Sequence, residues 1–286
     1  MNAVAPIDRR GEAARWPPPA DRVPPRPLHV HRIQIFLQVG ITHTWPTARL
    51  GATIAGPVSF LAFRRSARMR IGILGSGLMG GKLGTLFARA GHQVVFSYSR
   101  DAAKLERLAH DAGHRARAGT PADATREADA VLLAVHWSRV DAVLEEAGHI
   151  SGAVIVTCSL PMDASDATLV VAHTSSGAEE LAKKAPGSRV VSAFGTVPSE
   201  VLFSVFKARG NTKPPSLVYC GDDTRAKQLA ARLIRDVGFD PVDAGPLRIA
   251  RYMEPFTLLM AQLAYEGSRG AAVDYRLEWR KEKTRL

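Results

Sequence analysis

The hydrophobic pattern changes character at Met69. From there on, short apolar runs alternate with stretches of helical period, and glycine or polar residues punctuate the joins. Met69 to Leu74 is an apolar run that predicts a first strand. Leu78 to Ala90 carries Leu83, Leu86, Phe87 and Ala90 at helical spacing, and Gly91 ends it as a cap. Gln93 to Tyr98 predicts a second strand. Asp101 to Ala112 predicts a second helix, with Leu105 and Leu108 inward and Gly113 after it. Buried strands are predicted at 129–135 and 153–157. Further strands are expected at 190–194, 217–220 and 240–243, with a helix near 224–237. Strands and helices in this alternation specify an α/β fold, a Rossmann-type doubly wound parallel sheet.

Residues 1–68 follow no such period. They contain nine of the 18 prolines, including Pro17, Pro18 and Pro19, and they have no lysine and no acid after Asp21. Proline clusters of this kind break helices and donate nothing to a sheet. Three readings are open. The segment lies upstream of a natural start at Met69, or it is an arginine-rich targeting peptide, or it is a disordered basic arm. A strand that opens at a methionine favours the first. The expected organisation is therefore a low-complexity extension over 1–68, a dinucleotide-binding domain over 69–195, and a small C-terminal cap and dimerisation region over 196–286.

Charge matters less than its total suggests. The net charge is +11, but ten arginines and three acids before Met69 account for seven of those charges. The remainder is only mildly basic, so charge argues only weakly for a polyanion partner, and no nucleic acid is expected. The apolar stretch nearest to a membrane span, Leu50 to Phe63, has 14 residues. A membrane span needs about 20. Cys158 and Cys220 make neither a disulfide framework nor a metal-binding spacing. Two reduced thiols suit a cytoplasmic protein.

The chemistry begins at Gly75-Ser76-Gly77-Leu78-Met79-Gly80, a G-x-G-x-x-G motif between a predicted strand and a predicted helix. Gly75 permits the tight turn, Gly77 lets backbone approach a pyrophosphate, and Gly80 lets helix pack on strand. The helix N-terminus then offers unpaired N–H groups to the phosphates. Where the second strand ends, an NAD site usually has an acid for the ribose hydroxyls. Here the strand ends at Ser99 and Arg100, with Lys104 one turn into the next helix. Three donors around one anionic group point to the 2′-phosphate of NADP(H). Asp101 has two readings, the ribose acid of a longer strand or the N-cap of the following helix; aspartate is favoured at the cap.

Beyond the nucleotide loop, residues 69–268 resemble the NADPH-dependent reductases of the deazaflavin coenzyme F420. The resemblance rests on Met69 to Gly77, on Ser99-Arg100 with Lys104, on Leu133 to Trp137, and on His173 to Glu180. It continues through Ala193 to Thr196 and Gly221 to Asp223. Its narrowest parts are Gly238 to Leu247 and Arg251-Tyr-Met-Glu-Pro255. The resemblance implies a hydride passed between NADP(H) and coenzyme F420, or a similar small redox partner, by two stacked rings that need orientation more than an acid–base pair. It implies that Ser76, Gly77, Leu78 and Met79 line the pyrophosphate and that Ser99, Arg100 and Lys104 hold the 2′-phosphate. Ala134, Val135 and His136 would lie along the nicotinamide half, and the C-terminal portion would form a cap and part of a homodimer contact. The chain departs from the family pattern at His136 (family proline), at Ser159-Leu160-Pro161 (family Asn-Pro) and at Gly195 (family asparagine). These positions leave the second substrate open: a flavin or imine acceptor, or a sensor without turnover, remains compatible.

His136 is the one candidate for acid–base chemistry, since imidazole titrates near neutral pH. The alternative is a loop histidine that caps a helix beginning near Ser138. Ser159 reads as a nicotinamide contact or a local turn partner. Arg248 and Arg251 read as binders of an anionic substrate tail or as solvated charges. His173, after an apolar run, reads as structural, and Arg280 to Arg285 as a frayed helix end.

Overall fold

The computed structural model describes residues 68–148 and 150–280. The extension expected over 1–68 lies, up to residue 67, outside the described residues, and so does the run expected as a frayed helix end from 281 onward. In chain order the elements are β1 (Arg70–Leu74), α1 (Leu78–Arg89), β2 (Gln93–Ser97), α2 (Ala102–Ala112), β3 (Ala116–Ala118), α3 (Pro121–Thr125), β4 (Ala130–Leu133) and α4 (Val140–Ala147). They continue with β5 (Val154–Thr157), α5 (Gly177–Lys184), β6 (Arg189–Ser192), α6 (Leu202–Lys207), β7 (Ser216–Gly221), α7 (Thr224–Val237), β8 (Asp240–Asp243) and α8 (Ala250–Tyr265).

The eight strands among the described residues form one sheet in the order β3-β2-β1-β4-β5-β6-β7-β8. Alternation along each strand sends side chains into two cores, one on each face. Ile71 and Ile73 of β1, Leu132 of β4 and Val156 of β5 meet Leu83, Leu86 and Phe87 of α1, together with α2, α6 and α7. Leu74, Val131, Leu133 and Ile155 face the other way, against Val143 of α4, Leu181 of α5 and the start of α8. Strands buried on both faces read as unbroken apolar runs, which is why β1, β4 and β5 stand out in the sequence.

The sheet is parallel except at one junction. β7 runs antiparallel to β6, and only Val191 with Gly221 and Ser192 with Cys220 pair. Residues 216–219 of β7 therefore extend past the carboxyl end of β6. There the extended segment after α8 takes over: the Ser216 N–H donates to the Tyr275 carbonyl at 2.8 Å, and the Leu277 N–H donates to Ser216 Oγ at 3.0 Å. The boundary expected at 195–196 falls between β6 and α6, and β7 and β8 on its far side continue the same sheet. What remains of the expected cap is α8 and the segment that follows it.

Two local features secure the first strand. Asp129 Oδ2 accepts from the Arg70 N–H at 2.7 Å. His92, buried, accepts from the Met69 N–H at Nδ1 and meets Asp236 of α7 at 3.0 Å through Nε2. A core histidine satisfied at both nitrogens ties strand, turn and helix together.

Candidate active site

Ligand sites in doubly wound sheets lie beyond the carboxyl ends of the central strands, where the chain leaves in opposite directions. Here that edge lies between β1 and β4. Gly75 turns the chain out of β1 with φ +103°, and a Cβ there would meet the Ala134 carbonyl at 2.5 Å. Gly80 packs so closely that a Cβ would stand 1.9 Å from the Gly75 carbonyl. A Cβ on Gly77 would meet nothing within 4 Å. The three glycines thus divide the work: two serve packing and turn, and one leaves an open cradle before the helix. Gly77 caps α1 without a side-chain hydrogen bond, and the first turn holds no acid. Uncapped N–H groups facing an open cradle fit a pyrophosphate.

The cradle opens into a cleft of about 770 Å³ that runs from Gly75–Gly77 past Ser99, Arg100 and Lys104 to Ala134, Val135 and His136. Nine of the residues that the sequence nominated for the nucleotide thus line one continuous groove, whereas the side chains of Leu78 and Met79 line a neighbouring chamber and Gly80 packs against the turn. Asp101 is the N-cap of α2: its carboxylate accepts from the Lys104 N–H at 3.2 Å and from Arg107 Nη2 at 2.9 Å. The Arg107 bond and the backbone donors hold its carboxyl below the usual range. It is therefore engaged by its own helix, and its reading as a ribose acid is set aside. Ser99 Oγ accepts from the Asp101 N–H, which leaves its own hydrogen free. Among the described residues no carboxylate pairs with the side chain of Arg100 or Lys104. Sequence reasoning missed Arg139, Pro121 and Tyr98 on the same groove. Tyr98 leaves β2 with φ 57°, a local strain that periodicity does not reveal.

At the other end of the groove, His136 is the residue before a turn at Trp137–Arg139. Its Nδ1 accepts from the Ser138 N–H at 3.2 Å and lies 2.8 Å from Ser138 Oγ. Its Nε2 lies 3.2 Å from the Asp163 carbonyl and 3.2 Å from Asp166 Oδ1. A backbone donor on one side and a carbonyl on the other fix the tautomer with the proton on Nε2. Both ring nitrogens are engaged by protein, which fits the capping reading. Ser159 is a turn partner: it accepts from the Val135 N–H at 3.2 Å and donates to the Leu133 carbonyl at 3.4 Å, tying the ends of β4 and β5. His173 stands exposed on a loop with φ 63°, so it is not part of the core.

Two smaller chambers adjoin the groove, each of about 230 Å³. The first shares Ala134, Val135 and His136 with the groove. The second shares Met79, Cys158 and Leu160 with the first and is closed by Thr257 and Met260 of α8. Burial pushes the Cys158 thiol up to about 12, and likewise Cys220. Neither is a nucleophile at neutral pH. Among the described residues no cluster of three metal-ligating side chains occurs.

Polar contacts hold α8 against the sheet. Glu254, 4% exposed, accepts from the Gly177 and Ala178 N–H groups at the start of α5, at 2.9 and 3.0 Å. Burial pushes its carboxyl up to about 7, against those two donors, which pull it down. Arg251 makes a two-pronged pair with Glu179 at 2.8 and 2.7 Å. It is thus neither a substrate arginine nor a solvated charge, while Arg248 is exposed. The sequence marked Arg251 to Pro255 as a motif but gave Glu254 no role. Its contact lies 77 residues upstream, beyond any local pattern.

Residues 70–161 match the family described as NADP oxidoreductase, coenzyme F420-dependent. Metalloreductase STEAP3 of Rattus norvegicus is 28% identical over 189 residues, which cover 66% of this chain and 36% of that protein. Metalloreductase STEAP2 of Homo sapiens is 24% identical over 210 residues, 72% of this chain and 39% of that protein. The chain thus spans well under half the length of the curated relatives it matches. Among solved structures, a proposed F420-dependent NADP reductase from Arthrobacter sp. FB24 is 23% identical with a TM-score of 0.65, over 74% of this chain and 100% of that one. A reductive aminase from Aspergillus terreus in complex with NADPH is 18% identical with a TM-score of 0.51, over 68% of this chain and 61% of that one. At those identities the structural likeness establishes the fold. Among the described residues no helix is long and apolar enough to cross a membrane. Over residues 70–161, the chain is similar to the NADP-dependent oxidoreductases of the coenzyme F420-dependent family.

Proposed function

We propose that the protein transfers a hydride between NADP(H) and a deazaflavin of the coenzyme F420 type. The observation that carries this reading is the continuity, through the first chamber, of a charged nucleotide groove with a largely apolar chamber that offers no nucleophile. In this reading the α1 N-terminus, from Ser76 to Met79, binds the pyrophosphate. Ser99, Arg100 and Lys104 hold the 2′-phosphate, and Ala134, Val135 and His136 flank the nicotinamide half. Bound NADPH supplies the hydride. The chain orients two rings and excludes water, which suffices for direct transfer between them. His136 holds the loop at Asp163 and Asp166 beside the nicotinamide half and moves no proton.

A second reading keeps the nucleotide site and replaces the deazaflavin with a flavin. The departures at His136, Ser159 and Gly195, all near the acceptor end, support it. In either reading the protein works in the cytoplasm as a homodimer. The exposed stripe Tyr252, Leu259 and Leu263 on α8 supports the pairing of two copies.

The test follows NADPH absorbance with and without a deazaflavin, with NADH in parallel. Oxidation that requires the deazaflavin and strongly favours NADPH is the expected result. Oxidation with free flavin alone moves the second reading forward. Tight NADPH binding without oxidation by either ring leaves a nucleotide sensor.

A further inference from the structure

The second chamber has a wall of unusual uniformity. Leu78, Met79, Leu160, Val197, Pro198 and Met260 supply apolar surface. The polar side chains on the same wall turn their hydrogens into the protein. Thr257 Oγ1 donates to the Met253 carbonyl at 3.0 Å, Cys158 Sγ to the Leu133 carbonyl at 3.7 Å, and Ser199 Oγ to Glu200 at 3.2 Å. Lys82, the cation nearest this wall, is held by the Ser199 carbonyl and hydroxyl at 3.1 and 2.9 Å. A carboxylate or sugar entering here would lose water without regaining hydrogen bonds. The chamber discriminates by shape and apolar contact.

Among the described residues one aromatic ring lines it, that of Tyr265 at the last turn of α8. Tyr265 is 58% exposed, and Leu78 beside the same chamber is 73% exposed, so the two stand at its mouth. The tyrosine is not free to turn. Its hydroxyl donates to Glu200 Oε2 at 2.8 Å, and the same carboxylate receives Ser199 and lies 3.9 Å from the Lys82 ammonium. Glu200 thus ties three walls of the chamber: α1 through Lys82, the 195–200 segment through Ser199, and α8 through Tyr265. Burial and the Glu200 bond push the tyrosine hydroxyl up to about 12, so it stays protonated and donating at neutral pH.

Building on the hydride-transfer reading, we propose that this chamber admits the edge of a flat aromatic acceptor ring, that Tyr265 stacks on that ring, and that Glu200 is the positioning residue that sets the tyrosine's plane. An aromatic face at the mouth of an apolar slot selects planar acceptors without reading their substituents. It leaves the nucleotide groove, on the far side of Met79, untouched.

The experiment uses the full chain, with riboflavin and 5-deazariboflavin as probes and fluorescence of the bound ring as readout, before NADP(H) is added. In the wild type, stacking on tyrosine quenches the ring. In Tyr265→Leu the quenching is lost, and KM for 5-deazariboflavin rises about tenfold, the size of one lost stacking contact. Tyr265→Phe keeps an aromatic face but loses the phenol and its Glu200 bond, so quenching weakens and KM rises about threefold, less than in Tyr265→Leu. Affinity for NADPH is unchanged in both variants. If Tyr265→Leu quenches and turns over like the wild type, the stacking role is overturned while hydride transfer stands. If the wild type binds NADPH but neither ring, both fall.

Discussion

Gly75, Gly77 and Gly80 lie within six residues, and Ser99, Arg100 and Lys104 follow after one strand. The acceptor end instead gathers Met79, Cys158, Gly195, Thr257 and Tyr265 from widely separated stretches. The nucleotide end is thus a local device, a strand, a turn and a helix whose backbone does most of the binding. The acceptor end is a product of tertiary packing, and its shape depends on how α8 is held. Local devices keep their chemistry when distant parts change; packed chambers do not. That difference orders the following expectations.

The largest effect is expected at Glu254, which anchors α8 to α5 from a buried position. Its folded value near 7 lies above the ordinary 4.5. A carboxylate raised on folding contributes its stability in the protonated form. That stability is complete below about pH 4.5 and is lost as pH rises through about 7, and it amounts to about 3 kcal/mol. The melting temperature should therefore fall between pH 5 and pH 8, and Glu254→Gln should remove this component of the slope. A flat wild-type profile would mean that the two N–H donors at the α5 N-terminus keep the carboxylate ionised. The nucleotide end has no counterpart to this sensitivity.

Next comes Gly77→Asp. The open space around its missing Cβ predicts a variant that folds normally, with an unchanged melting temperature. A carboxylate placed where the helix N-terminus receives phosphate should weaken NADPH binding about a hundredfold. Gly80→Ala is the matching control, because its Cβ would strike the Gly75 carbonyl and the damage should appear as lost stability instead. If both variants fail in the same way, the division of work among the glycines is wrong.

Arg100→Ala should lower the preference for NADPH over NADH by about ten- to thirtyfold, the worth of one charged hydrogen bond to phosphate, with NADH kinetics unchanged. An equal loss for both nucleotides would relocate the 2′-phosphate away from Arg100 and towards Arg139, which the sequence did not nominate.

The contrast also accounts for what could be read in advance. α7 and β8 have the bounds that periodicity predicts, and β1, β2, β4 and β5 differ from expectation by one or two residues at their ends. These elements carry either a clean helical stripe or an apolar run buried on both faces. β3 escaped because it is three residues at a sheet edge, two half-buried alanines around the exposed Arg117. α8 escaped because apolar residues surround it and Pro255 interrupts its second turn. The reversal at β7 escaped because strand direction depends on where the chain returns, not on alternation. At the site, the glycine loop and the 99–104 cations were legible because backbone geometry and charge are written locally. Glu254, Glu200 and Tyr265 were not, since each acquires its meaning from a partner more than 60 residues away.

The smallest effect is expected at His136, which makes it the sharpest probe of the boundary between the two ends. A histidine that gave or took a proton would leave a limb near neutral pH in the profile of kcat, and its loss would abolish that limb. A histidine that accepts from the Ser138 N–H and reaches Asp163 and Asp166 only holds a turn and a loop in place. His136→Ala should then cost about 1 kcal/mol of stability, the worth of a lost cap, and lower kcat by no more than about threefold. His136→Asn, whose side chain can still accept at the cap, should recover part of the stability. The pH profile should be the same in all three proteins. A vanished limb in the alanine variant would return His136 to the chemistry and require one of its two nitrogens to leave its present partner during turnover.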